Sequence, residues 1–195
     1  YSSLENKYRL LFMKNYDTEF ATCFFSDKKS KFASNETTSK NNIKTYYFRS
    51  KHSSARGQPI DISSVPYQVS LLLKGWHICG AAIILPNFVL TAAHCTEGEI
   101  AFDLSVRAGS NFVDEGGEVI DVVAKKEHEQ FNISAHFDSD ISILMLSRNL
   151  TFGNTVALIP VILENVELQS GDVGIATGWR KTRVNLLFVI HSFYT

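Results

Sequence analysis

The stretch Phe88-Val89-Leu90-Thr91-Ala92-Ala93-His94-Cys95 decides how the rest of this chain is read. Large apolar and β-branched residues lead into small ones, and a histidine then stands directly beside a cysteine. The first half suits a buried strand. The second half ends that strand on a side chain that gains and loses a proton near neutral pH. A histidine in an arbitrary sequence is most often structural, here a neighbour of a disulfide, so its meaning depends on what surrounds it.

From Pro66 onward the surroundings are short β-type runs at 67–73, 78–85, 88–90, 102–108, 118–124 and 141–146. Turn residues separate them: Lys74-Gly75, Pro86-Asn87, Gly109-Ser110-Asn111 and Gly116-Gly117. Alternation such as Asp103-Leu104-Ser105-Val106-Arg107 puts apolar side chains on one face only, as in an antiparallel barrel or sandwich. Two more runs, 156–163 and 173–177, follow, and 186–190 is a further candidate strand. Residues 1–55 are rich in Lys, Ser, Asn and Thr and hold no sustained period, which predicts a largely disordered extension with a short helical turn at 8–12.

Composition narrows the function classes. The 195 residues are 45% hydrophobic and 20% charged, with 19 Lys+Arg against 20 Asp+Glu. Such a balance leaves no cationic excess to hold a nucleic-acid backbone. The longest apolar runs fall far short of the roughly 20 residues of a membrane-spanning helix, so neither nucleic acid nor membrane is an expected partner. The three cysteines, Cys23, Cys79 and Cys95, have no second cysteine or histidine at zinc-site spacing, and no metal or cofactor is expected. Sequons at Asn35, Asn132 and Asn149 suit a secreted protein. The chain opens on Tyr1 with no basic start followed by an apolar run, as expected either of a fragment boundary or of a leader that is not represented here.

Leu90-Thr91-Ala92-Ala93-His94-Cys95 resembles the histidine motif of the chymotrypsin/trypsin family of serine proteases. Pro66-Tyr67-Gln68-Val69-Ser70-Leu71 resembles that family's opening strand, and His77-Ile78-Cys79-Gly80 resembles the strand that carries a paired cysteine. Asp138-Ser139-Asp140-Ile141-Ser142-Ile143-Leu144 resembles the aspartate motif, and Ile175-Ala176-Thr177-Gly178-Trp179 the start of the second barrel. The resemblance implies an all-β fold, a trypsin-like antiparallel β-barrel at 56–155 with a truncated second barrel at 156–195. It implies that Cys79 pairs with Cys95, leaving Cys23 unpaired. It also implies that His94 is the catalytic base and that Asp140, rather than Asp138, is the acid that orients it. A carboxylate at the head of an apolar strand is suited to that task, because it accepts the Nδ1 proton of the imidazole and leaves Nε2 as base.

The family's reactive serine lies in Gly-Asp-Ser-Gly-Gly, which these 195 residues do not contain. Gly171-Asp172-Val173-Gly174 imitates it with valine at the nucleophile's place, and Ser192 has no flanking glycines for an oxyanion hole. The family's Ile-Val-Gly-Gly activation motif would fall at Ser54-Ala55-Arg56-Gly57, where only the last glycine matches. The expected function is therefore trypsin-like endopeptidase at family level, with the chain as written inactive. A non-catalytic homologue that binds a partner protein is the alternative. Expected partners are protein or peptide substrates and protease inhibitors, met by a secreted monomer.

Overall fold

A β-type run with alternating residues has one apolar face to bury, and closing six strands into a barrel buries that face in every one at once. The computed structural model of the protein describes residues 9–12, 22–26, 36–38, 44–46, 58–132, 139–159, 173–179 and 187–194. The strands in chain order are β1 Arg9–Phe12, β2 Thr22–Ser26, β3 Glu36–Thr38, β4 Lys44–Tyr46, β5 Gln58–Pro59, β6 Gln68–Leu73, β7 Trp76–Leu85, β8 Phe88–Thr91, β9 Leu104–Ala108, β10 Glu118–Glu127, β11 Ser142–Leu146, β12 Val173–Trp179 and β13 Leu187–Tyr194. Among the described residues the helical pieces are short 3-10 turns at Ile62–Ser64, Ala93–Cys95 and Ala101–Asp103. No helix among them is long and apolar enough to cross a membrane.

Strands β6 to β11 form a closed antiparallel barrel in the order β10-β11-β8-β7-β6-β9, with β9 pairing back to β10. All six expected runs are present. The first residues of the 102–108 run form the 3-10 turn Ala101–Asp103, and the strand proper begins at Leu104. Alternation sets the inside: in β9, Leu104, Val106 and Ala108 are buried while Ser105 and Arg107 are not. Val69, Leu71, Ile83, Val89, Leu104, Val106, Ile120, Val122, Leu144 and Leu146 fill the interior. Register shifts at Leu71/Leu72, Ile83/Leu85 and Val122/Ala124 let strands bend as the sheet closes. Closure leaves these strands no open edge. The turn between β6 and β7 has Lys74 at φ +50° and Gly75 at φ +86°, the paired positive angles that join two right-twisted strands in two residues.

A second sheet runs β1-β2-β12-β13-β5. Strand β12 pairs with β13 on one side and β2 on the other. The expected helical turn at 8–12 is replaced by β1: its backbone groups bond across to β2, which a local apolar run does not announce. The run at 156–163 also differs from expectation. Over its described part, Val156 makes an isolated bridge to Gly153, while Ala157 and Ile159 donate their N–H groups to Pro66 and Ile83, so this segment is laid along the barrel. Thr177 of β12 donates its hydroxyl to Gln68 Oε1 of β6 at 2.8 Å. Trp179 is buried with Ile62, Val65, Tyr67, Val113 and Ile159 and donates its indole N–H to Asn111 O at 2.9 Å.

Candidate functional site

His94 sits in the 3-10 turn Ala93–Cys95 that ends β8. Cys95 N–H bonds Ala92 O, and the N–H groups of Thr96 and Glu97 both converge on Ala93 O, which closes the turn. Cys95 is joined to Cys79 of β7 by a disulfide with a Cα–Cα distance of 6.4 Å, so the turn is tied to a second strand. The pairing is the one the resemblance implies. Cys23 lies in β2, and its side chain is outside the described residues.

Asp140 stands two residues before β11 begins. Ser139 at φ +55° and a bond from Ile141 N–H to Ser139 O at 2.8 Å make a tight turn centred on Asp140. Strands β8 and β11 are hydrogen-bonded neighbours, with Ser142 opposite Thr91. The end of one strand and the start of the other therefore meet at one rim of the barrel, although they are far apart in sequence.

There the two residues join. The ring Nδ1 of His94 is 2.5 Å from Asp140 Oδ2, and the backbone N–H of His94 donates to Asp140 Oδ1 at 2.8 Å. Side-chain exposure is 14% for His94 and 15% for Asp140, so the pair is largely shielded while part of the ring reaches the surface. An ionised carboxylate only accepts hydrogen bonds, which assigns the Nδ1 proton to the ring and leaves the neutral imidazole's lone pair on Nε2. Nε2 lies 3.1 Å from Cys95 Sγ, and a disulfide sulfur carries no proton to give it. The ligand atoms of Cys79, His94 and Cys95 cluster within 4.8 Å. The two sulfurs are spent on each other, so that cluster offers no thiolate to a metal.

Two polar groupings outside this pair escape a motif-based reading. Thr96 Oγ1 contacts Glu127 Oε1 at 2.9 Å and Ser142 Oγ at 3.0 Å, and Lys125 Nζ bonds both Glu127 Oε1 and Thr96 O at 2.6 Å. Burial pushes the Glu127 carboxyl up, but the bonds from Lys125 and Thr96 outweigh it and hold it below the usual range. The second grouping is His77, whose Nδ1 lies 2.7 Å from Ser70 Oγ and whose ring meets Trp179 edge-on at 5.8 Å between centroids. Desolvation lowers its pKa to about 4, so the ring is neutral in the folded chain. No spacing in the sequence ties Thr96 to Glu127. His77 carries a weak signal, as the ionisable residue in an apolar strand.

The other singled-out positions are scattered. Ser192 is in β13, opposite Ile175. Asn132 and Asn149 are exposed. Arg56, Asn35, Asp138 and Asp172 lie outside the described residues.

The sequence matches the Trypsin family over residues 54–188. It is 40% identical over 123 residues to a vitellin-degrading protease of Bombyx mori, an overlap covering 63% of this chain and 46% of that protein. It is 36% identical over 123 residues to trypsin alpha of Drosophila erecta, covering 63% and 47%. The chain spans about half the length of the curated relatives it matches. Among solved structures, the scabies mite inactivated protease paralogue S-D1 aligns with a TM-score of 0.64 at 20% identity, over 71% of this chain and 60% of that one. Human heparin binding protein aligns with a TM-score of 0.62 at 20% identity, over 71% and 64%. These two likenesses concern the fold alone. The six-stranded barrel, the joined histidine and aspartate, and a family match running over most of its length together show that this chain belongs to the trypsin family of serine proteases.

Proposed function

We propose that this chain is the histidine- and aspartate-bearing part of a secreted trypsin-like serine endopeptidase acting on protein or peptide substrates and open to protease inhibitors. In this reading His94 is the general base and then the general acid, and Asp140 orients it. The observation that carries it is the double hold of Asp140 on His94, through ring Nδ1 and through backbone N–H. That hold fixes the tautomer whose Nε2 takes the serine hydroxyl proton as the serine oxygen bonds to the scissile carbonyl carbon. The same proton then passes to the leaving nitrogen as the C–N bond breaks.

The serine that would become acylated is not identified among these 195 residues, and the polypeptide as written is proposed to be inactive: a base with its orienting acid has nothing to activate. The experiment is to obtain the complete transcript and assay its product beside residues 1–195, using arginyl and aromatic peptide amides and a serine-directed phosphonate. Turnover and labelling by the complete product, both lost in His94→Ala, with neither shown by residues 1–195, are the expected results. Turnover that survives His94→Ala would remove His94 from the mechanism. A residue other than serine in the downstream Gly-Asp-Ser-Gly-Gly frame would favour a non-catalytic homologue that binds a partner protein.

A further inference from the structure

The bond between His94 and Asp140 has a parallel beneath it. Thr96 stands two residues past His94, Ser142 stands two residues past Asp140, and the bond between their hydroxyls spans the same 46 residues as the bond above. We propose that Thr96, gripped by Glu127 and Ser142, is a positioning residue that sets the approach of His94 to Asp140. The proposal rests on the roles given to that pair under the proposed function.

Thr96 is tied into the histidine's own turn. Its N–H bonds Ala93 O at 2.9 Å and its hydroxyl lies 3.1 Å from the same oxygen, so any movement of Thr96 carries the turn with it. Ser142 is the first residue of β11, fixed between Thr91 of β8 and Glu127 of β10. A link from Thr96 to Ser142 therefore fastens the turn bearing His94 to the strand that Asp140 leads into.

The chemistry of the link is directional. Thr96 has one hydroxyl proton and three acceptors in range, of which the Glu127 carboxylate is the strongest. With that proton given to Glu127, the Ser142 hydroxyl turns its own proton toward Thr96 Oγ1. Lys125 closes the set by bonding both Glu127 Oε1 and Thr96 O. Thr96 and Ser142 are each 0% exposed, so water does not replace a lost partner. Valine has the shape of threonine and would pack as well.

The test uses residues 1–195 labelled with 15N at histidine and tryptophan, and reads solvent exchange of the His94 Nδ1 proton against that of the Trp179 indole proton. The indole bonds Asn111 O away from this cluster, so general destabilisation speeds both protons, whereas loss of positioning speeds only the first. Thr96→Val, which removes both the bond to Glu127 and the bond to Ser142, is expected to accelerate His94 exchange by about tenfold or more relative to Trp179. Thr96→Ser is expected to restore it, and Glu127→Gln to give a smaller acceleration. An unchanged ratio in a folded Thr96→Val variant overturns the proposal. If that variant does not fold, an unchanged ratio in Glu127→Gln overturns it. Should the wild-type protein show no Asp140-dependent Nδ1 proton at all, judged against Asp140→Asn, the orienting role itself falls and the positioning role with it. A proton that is present but indifferent to Thr96 and Glu127 overturns positioning alone.

Discussion

Asp140 meets His94 with both oxygens of one carboxylate, Oδ2 against the ring Nδ1 and Oδ1 against the backbone N–H. One side chain thus fixes the ring and the turn that carries it. Asn at position 140 keeps one acceptor oxygen for the backbone N–H and turns the other into an NH2 donor. That donor suits ring Nδ1 only when the ring proton moves to Nε2, and the charge-assisted bond is lost either way. Asp140→Asn is therefore expected to lower the stability of residues 1–195 by about 1–3 kcal/mol, read by urea unfolding. No loss would mean that the charge on the carboxylate adds nothing to the stability of the pair in solution.

Gly117 makes a separate demand on the backbone. It holds φ +63°, and a Cβ placed there would come 2.1 Å from the carbonyl oxygen of Ala108, the residue paired with Glu118 in the β9–β10 register. The left-handed conformation alone costs an L-residue about 1–2 kcal/mol. Gly117→Ala adds the backbone collision to that, and thermal unfolding should show a loss greater than the conformational term. Gly75→Ala is the control, since its Cβ would meet nothing within 4 Å.

The disulfide closes a loop with a sequence separation of 16 between Cys79 and Cys95. Replacing both cysteines by alanine is expected to cost about 3 kcal/mol, the chain-entropy value for a loop of this size. The double variant should also lose the sensitivity of the wild-type melting temperature to reductant. Equal sensitivity in both would place the redox effect elsewhere.

His77 gives a pH dependence whose direction follows from burial. In the folded chain its pKa is lowered to about 4, against 6.5 for the unfolded ring. Above pH 6.5 neither state binds the proton and the stability is fully present. Below it the unfolded chain takes up the proton while the folded chain does not, so stability falls until the folded ring also titrates near pH 4. The total is about 3 kcal/mol by the usual conversion. His77→Gln should flatten this part of a plot of unfolding free energy against pH, and an unaltered slope would show that other groups govern it.

The barrel was legible in the sequence because period-two burial is a local property. Leu104, Val106 and Ala108 announce an inward face without reference to any partner strand. His94 and Asp140 were legible only through motif resemblance, since no local pattern carries the pairing of β8 with β11 that unites them. Thr96, Glu127 and Ser142 were illegible for the same reason, compounded by their ordinary residue types. Strand β1 is not legible because four apolar and basic residues fit a helical turn equally well until β2 supplies partners for their backbone groups.

The account turns on which nitrogen of His94 holds the proton, and 15N resonances of the histidine ring in residues 1–195 at alkaline pH read this directly. The arrangement predicts a protonated Nδ1 and a bare Nε2, with the preference weakened or lost in Asp140→Asn. A ring protonated at Nε2 with a bare Nδ1 would contradict the hydrogen bond to Asp140, and with it the role of His94 as the base of a trypsin-family site.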